Sequence, residues 1–403
     1  MVVKRKLLLS LLLACTLSLY GQETVRIATY NLKQYPRANS AASYIKIVMD
    51  QIKPTILLAV ELDGSDAVNQ LLSNVLTPKY QASKEVNITW GTGNECAVFY
   101  IDSLLTYLGS SMIAADTRPI AEFKFAHKIT KDTLIIFGVH LKAYPQETAR
   151  RLSAVNSLRN RTLKLLPTAN YIVAGDFNIF TSDEPAFQRL IDNSSQGYFI
   201  DMLNVNGNWN KNIQFSSACT WSTRGGINTR LDMILISRAV NEHGGIEYVP
   251  GSFKIFGNDN KHFYSDVNSG TNDWFPTDPS IGTALKNASD HLPIFADFKF
   301  GVPTSPTNVF QSENIPTTFE LKQNYPSPFN PETVISFQLS VFSYVQLKVF
   351  DLLGKEVATL VSEEKHPGIY KVKFDGTNLP SGIYFYRLQS GSFSKTKKLA
   401  LIK

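Results

Sequence analysis

Tyr171-Ile172-Val173-Ala174-Gly175-Asp176-Phe177-Asn178 is the stretch on which the reading of this chain turns. Residues 171–174 are apolar and mostly β-prone, the composition of a buried strand. Gly175 lets the backbone turn, and Asp176 and Asn178 follow with one residue between them. On an extended chain two such side chains point to the same side. An acceptor-only carboxylate and an amide that donates and accepts would then face one spot at the end of a core strand. That arrangement packs poorly and suits a phosphate held beside a metal-bound water. Asp and Asn after a strand are also common turn formers that bond their own backbone.

Working outward, Lys4-Arg5-Lys6 leads into the apolar run 7–19 and then Tyr20-Gly21-Gln22. A basic region, a short apolar region and a small residue describe a secretory signal, residues 1–21, cleaved after Gly21. The run is too short to span a bilayer comfortably. Leu12-Leu13-Ala14-Cys15 also resembles a lipoprotein box in which Cys15 would be acylated. No other stretch is apolar enough for a membrane helix, so no stable membrane insertion is expected. Apolar content of 43% and charged content of 18% describe a globular chain and exclude a disordered one. A net charge of +6 is a mild bias that fits an anionic substrate. Beyond the signal the cysteines are Cys96 and Cys219, without metal-type spacing. They fit either one extracellular disulfide or two buried apolar fillers.

The length exceeds one ordinary core and predicts two domains. Residues 294–300 end a strand-like alternation, and 301–318 then collect Pro303, Pro306 and Pro316 among Ser, Thr and Asn. That segment is a linker. Domain one is placed at 22–300 and domain two at 319–403. Within domain one, strand-like runs at 25–30, 55–60, 96–101, 120–125, 133–140 and 231–237 alternate with helical periods at 41–52, 67–76 and 146–166. The alternation predicts α/β or α+β, mixed sheets covered by helices.

Polar residues stand at the ends of these strands. Asn31 follows the first, Glu61 closes the run 56–60, and His140 ends 135–139. Asp232 lies in Arg230-Leu231-Asp232-Met233-Ile234-Leu235, and Asp290 and His291 stand in Ser289-Asp290-His291-Leu292-Pro293 before the last strand. A carboxylate inside an apolar run is costly unless paired or bound to a metal. With Asp176, these positions predict a single site at one edge of the sheets.

Tyr30-Asn31, Glu61, Val139-His140-Leu141, Gly175-Asp176-Phe177-Asn178, Arg230-Leu231-Asp232 and Ser289-Asp290-His291-Leu292-Pro293 resemble, in order, the motifs of the endonuclease/exonuclease/phosphatase superfamily. The resemblance covers essentially residues 24–300. It implies a four-layer αββα sandwich with the site where the two sheets open. It also implies that Glu61 binds Mg²⁺, helped by Asn31 and Asp290, with Mn²⁺ or Ca²⁺ as substitutes; few protein carboxylates suffice for such an ion. By the same resemblance Asp176 and Asn178 position the attacking water and the phosphate. His291, oriented by Asp232, acts as base or holds the phosphate.

Three residues match the DNase-like branch. His140 would be the second histidine, a general acid for the leaving oxygen. Glu95 stands where that branch places the histidine's carboxylate partner, and Arg118, in Asp116-Thr117-Arg118-Pro119, where it places a phosphate-binding arginine. The chain departs from the family at Val60, where a Gln usually precedes the metal-binding Glu, which weakens or reshapes the surroundings of the ion. Residues 209–221 and 256–283 match no branch. Tyr264, Trp274 and Phe275 of the latter either stack on bases or a membrane, or pack the tract on itself, and self-packing is expected.

Residues 321–331, Leu347-Lys348-Val349-Phe350-Asp351-Leu352-Leu353-Gly354, Ser381-Gly382-Ile383-Tyr384-Phe385-Tyr386 and the closing Lys397-Lys398-Leu399-Ala400-Leu401 resemble a type IX secretion system C-terminal sorting domain. Short alternating strands between Gly, Pro and Asn turns predict a small immunoglobulin-like β-sandwich. The resemblance implies the type IX machinery as a partner and a secreted or cell-surface location, after export through both membranes. The combined expectation is a secreted, monomeric, Mg²⁺-dependent phosphodiesterase, foremost an endonuclease acting on extracellular DNA or RNA. A sphingomyelinase-like phospholipid phosphodiesterase, a small-molecule phosphoesterase and a non-catalytic surface-binding protein are the alternatives.

Overall fold

A computed structural model describes residues 22–36, 41–76, 78–83, 86–87, 95–116, 118–223, 226–242, 245–302, 319–339, 343–365, 368–390 and 393–403. The signal at 1–21, Cys15 and the linker residues 303–318 lie outside these. The chain divides into two compact units, Met1–Ser305 and Pro306–Lys403.

The apolar run of the quoted stretch becomes β9 (Asn170–Asp176), buried along its whole length. It lies inside a six-stranded sheet with the order β10 (Phe199–Asp201), β13 (Asp232–Ser237), β9, β8 (Thr133–His140), β7 (Ile120–His127) and β6 (Leu105–Ile113). β8 and β9 are parallel, and their crossover carries α3 (Thr148–Thr162). The second sheet has eight strands. Its order is β14 (Ile246–Tyr248), β16 (Ile294–Phe300), β1 (Glu23–Tyr35), β2 (Ile56–Leu62), β5 (Glu95–Ile101) and β3 (Tyr80–Ala82), with β15 (Lys254–Ile255) on β16 and β4 (Val86–Asn87) on β5. β1 and β2 are parallel across α1 (Ala41–Ile52). A separate two-stranded ribbon joins β11 (Trp221–Thr223) to β12 (Gly226–Thr229).

Alternation along the strands sorts side chains between layers. Ile172 and Ala174 of β9 and Ile234 and Ile236 of β13 face the eight-stranded sheet and share its core. Tyr171, Val173, Met233 and Leu235 point the other way, onto Ala154, Val155 and Leu158 of α3 and Phe187 and Leu190 of α4 (Pro185–Ile191). Across the eight-stranded sheet, α1, α2 (Gly64–Asn74) and α6 (Pro279–Ala288) bury Ile45, Val48, Leu71 and Leu285. α5 (Arg238–Asn241) is a single turn after β13. The unit is a four-layer αββα sandwich, and each fully buried aliphatic side chain contributes about 1.5–3 kcal/mol to it.

Cys96 and Cys219 are separate buried thiols, so the apolar-filler reading holds over the disulfide. Burial pushes the Cys219 thiol up to about 12 and that of Cys96 higher still. A reductant is therefore expected to leave the melting temperature unchanged, and thiol alkylation to require unfolding; a reductant-sensitive melt would contradict the structure.

The tract 256–283 packs on itself, as expected. Trp274 meets Phe256 edge-on at 5.3 Å and donates Nε1–H to the Asn258 carbonyl at 2.9 Å. Phe275 is buried, while Tyr264 stays half exposed against Phe263. The buried Asp259–His262 pair, 2.7 Å apart, closes the tract.

The second unit is all β. One sheet has the order β17 (Glu320–Leu321), β18 (Glu332–Leu339), β21 (Gly368–Asp375); the other β20 (Glu356–Lys365), β19 (Ser343–Phe350), β22 (Gly382–Ser390), β23 (Phe393–Leu401). Ile335, Phe337 and Leu339 of the first sheet share one core with Val345, Leu347, Val349 and Leu388 of the second, which makes a β-sandwich.

Candidate active site

Backbone register builds the site. His140 of β8, Asp176 of β9 and Asp232 of β13 are direct partners across three neighbouring strands. Residues level with one another on adjacent strands present their side chains to the same face of the sheet. Gly175 makes this approach possible. Its φ is +129°, and a Cβ there would lie 2.0 Å from the Val139 carbonyl oxygen.

The expectation of an extended Asp176-Phe177-Asn178 needs correction. Asn178 has φ +49°, and Asp176 Oδ1 accepts its backbone N–H at 3.0 Å. The turn and the site therefore coexist: one carboxylate oxygen makes the turn, and the other, Oδ2, faces the cavity. Asn178 Nδ2 donates to the Leu141 carbonyl at 3.1 Å, tying this turn to the end of β8.

From the other sheet come Asn31 and Glu61. Pairing of β2 with β5 slips between Ala59 and Leu62, and Glu61 sits in that irregularity with φ +59°. Such bulges re-aim a side chain at the end of a strand. Asn31 Nδ2 donates to Glu61 Oε1 at 2.9 Å and to Asp176 Oδ2 at 3.2 Å, and its oxygen accepts the Lys33 N–H. Val60, where the family pattern has Gln, is wholly buried, and Asn31 supplies a hydrogen bond to Glu61.

His291 is fixed from several directions. Its Nδ1 lies 2.8 Å from Asp232 Oδ2, which also accepts the Thr220 hydroxyl at 2.7 Å. Thr220 Oγ1 in turn accepts the backbone N–H of Leu231 and Asp232, each at 3.0 Å. The His291 N–H bonds Ser289 Oγ, which donates to the Asn31 carbonyl, and Trp221 bridges the His291 backbone. The free edge, Nε2, stands 3.9 Å from Asp176 Oδ2. His140 Nε2 is 3.7 Å from that same oxygen and 3.5 Å from Glu61 Oε1.

The two imidazoles have opposite proton preferences. Burial alone would lower His291, but the charge and hydrogen bond of Asp232, with Asp176 and Asp290, raise it to about 10. Burial, with the charges of Arg118 and His291, holds His140 well below the usual histidine value. Burial pushes Asp176 up to about 7, with Asp232 and Glu61 adding and His291 opposing. Without a bound cation, the surroundings therefore favour the proton on His291 over His140.

Arg118 donates to the carbonyls of His140 and Leu141 at 3.2 and 2.8 Å, and feels the charges of Asp176 and Glu61. Asp290 pairs with Lys33 at 2.9 Å. The Glu95 backbone opens β5 opposite Leu62, but its side chain lies outside the described residues. His140 Nδ1 is buried with no hydrogen-bond partner among the described residues. Arg230, part of the same sequence motif as Asp232, is structural: it clamps Asp201 with two bonds of 2.9 and 2.7 Å and lies over the buried Trp209.

A cavity of about 490 Å³ opens over these groups and is also lined by Lys33, Tyr144, Phe180, Lys211 and Trp221. Thr220 and the rim aromatics carry no sequence signal, because single Thr, Tyr and Trp residues occur on every surface. Glu61, His140 and Asp176 form a possible acidic metal site, their ligand atoms within 4.8 Å of one another. Two carboxylates with an imidazole suit a hard divalent cation, and the Asp176 carboxyl, raised by burial and by the charges of Asp232 and Glu61, is one that a cation would relieve. Among the described residues no helix is long and apolar enough to cross a membrane.

No curated protein sequence matches the chain. Among solved structures it is similar to an endonuclease/exonuclease/phosphatase from Bacteroides vulgatus, at 16% identity and TM-score 0.48, over 69% of this chain and 99% of that one. It is also similar to a humanized D. rerio TDP2 (16%, TM-score 0.47, 68% and 98%) and to a Bacteroides thetaiotaomicron mannosyl-6-phosphatase (13%, TM-score 0.46, 68% and 99%). Residues 323–403 match the family described as secretion system C-terminal sorting domain. By that domain the chain is a cargo of type IX secretion, addressed to the cell surface or the extracellular space.

Proposed function

We propose that this site hydrolyses phosphodiesters, foremost those of extracellular DNA or RNA, with a divalent cation of which Mg²⁺ is the first candidate. The observation that carries the reading is the convergence on Asp176 Oδ2: Asn31 Nδ2, His140 Nε2 and His291 Nε2 all stand within 3.2–3.9 Å of one buried carboxylate oxygen beneath an open cavity. Structural packing gains nothing from two buried imidazoles and two carboxylates around a void. Hydrolysis at phosphorus gives each of them a role.

In that reaction water attacks phosphorus, the bond from phosphorus to the leaving oxygen breaks, and one proton leaves the water while another reaches the leaving group. Asp176 and Asn178 orient the water and the phosphate. His291, its tautomer set by Asp232, presents Nε2 to the phosphate, and His140 presents the second imidazole edge. Arg118 adds positive charge beside the equatorial oxygens. Glu61 and Asp176 would hold the cation, with Asn31 orienting both and Asp290 on the rim beside Lys33. When bound, the ion supplies Lewis-acid polarisation of the phosphoryl group and a more acidic water. The sequence resemblance alone assigns Glu95 to His140 Nδ1.

The test uses purified protein with Mg²⁺ or with chelator, on plasmid DNA, on RNA and on sphingomyelin vesicles. Metal-dependent cleavage of either nucleic acid is the expected result. Headgroup release from vesicles with intact nucleic acid would move the reading to lipid, and metal-independent cleavage would overturn it.

A further inference from the structure

Tyr144 holds an unfavourable backbone conformation, φ +79°, with its side chain 63% exposed at the mouth of the catalytic cavity. A bulky residue at positive φ persists only where its surroundings over-determine it. Here the cause is Arg151, wholly buried on α3. Its Nη1 donates to the Lys142 and Tyr144 carbonyls at 2.9 and 2.7 Å, its Nη2 to the Pro145 carbonyl at 3.2 Å, and Nε and Nη2 grip the buried Glu184 at 2.6 and 3.0 Å. All five guanidinium N–H groups are thus used. The same guanidinium lies 5.6 Å from the ring of Phe180, which also lines the cavity. The fold therefore holds a strained loop rigidly, yet the ring it displays is left in solvent, where it adds little to packing.

We propose that Tyr144 is a specificity-determining residue whose ring stacks on a base adjoining the scissile phosphate. The proposal rests on the phosphodiesterase reading. Phe180 and Trp221 line the same cavity and Lys33 and Lys211 supply cations there, a composition that suits a polyanion carrying flat rings.

Two diesters with one leaving group separate the possibilities: thymidine 5′-(p-nitrophenyl phosphate) and methyl p-nitrophenyl phosphate, which lacks a base. Tyr144→Gly removes the ring where the backbone favours glycine, so the melting temperature does not fall. KM for the thymidine ester is expected to rise about tenfold, the effect of one lost base stack, with kcat nearly kept. Hydrolysis of the methyl ester stays within about twofold, well inside that stacking effect, and Tyr144→Phe behaves as the natural protein. Equal losses on both esters, or no loss on the thymidine ester, overturn the proposal while leaving the phosphodiesterase reading in place. A natural protein that cleaves neither ester in Mg²⁺ overturns the proposal, and one that also leaves plasmid DNA and RNA intact overturns both.

Discussion

Replacing His291 with alanine is expected to lower kcat on the preferred phosphodiester by about a thousandfold, within the range that positioned acid–base groups supply. KM should change little, because the imidazole acts on phosphorus chemistry and not on the distant parts of the substrate. Asp232→Asn is expected to reproduce most of the loss, since an amide no longer fixes the proton on His291 Nδ1. A stability signature accompanies the kinetic one. The folded-state value of His291, about 10, lies above the ordinary 6.5. Its contribution to stability is therefore fully present below pH 6.5 and is lost as pH rises toward 10. In chelator, thermal melts of the natural protein and His291→Ala should differ most at pH 6 and converge near pH 10. Retained turnover in the variant would remove His291 from the chemistry.

Asp176→Asn should give the opposite combination, lost activity with gained stability. Burial raises this carboxyl from 3.8 to about 7. The stability it contributes is complete below pH 3.8 and is lost as pH rises through 7, so the ionised carboxylate burdens the cation-free fold at pH 8. Asparagine keeps the shape and the acceptor for the Asn178 N–H while removing the like charge beside Asp232 and Glu61. At pH 8 in chelator the variant is expected to melt a few degrees higher than the natural protein, as about 1 kcal/mol would produce. Turnover should fall about a thousandfold with it. Added Mg²⁺ should stabilise the natural protein in proportion to occupancy, and the variant less. A variant that melts lower and still cleaves would show that Asp176 is a structural turn residue.

Much of this was legible without coordinates. Apolar runs at 133–140 and 171–174 read as strands and are β8 and β9, each with a polar residue at its end facing the cavity. The division between Ser305 and Pro306 falls within the stretch that carries Pro303, Pro306 and Pro316. The short alternating strands expected in 319–403 are present, and the structure joins residues 335–339 and 345–349 in one core. Harder to read was the local chain after Asp176. Period-two reasoning holds only while the backbone is extended, and Asn178 is not.

The sequence by itself determined which chemical groups are present, the layered α/β class with its β-sandwich tail, and the sorting address, because these depend on composition, period and short motifs. Tertiary structure alone decided which groups meet. Asn31 reaches Asp176 across 145 positions of chain, and His291 reaches Asp232 across 59. It also decided that His140 and His291 hold protons differently, since burial and neighbouring charge are properties of place. The same holds for Tyr144: one tyrosine among 17 becomes a candidate specificity residue because a buried arginine on α3, seven positions further along the chain, holds its loop at the rim of the cavity. Local sequence sets what each segment can form; long-range packing sets the distances at which the formed segments act on one another.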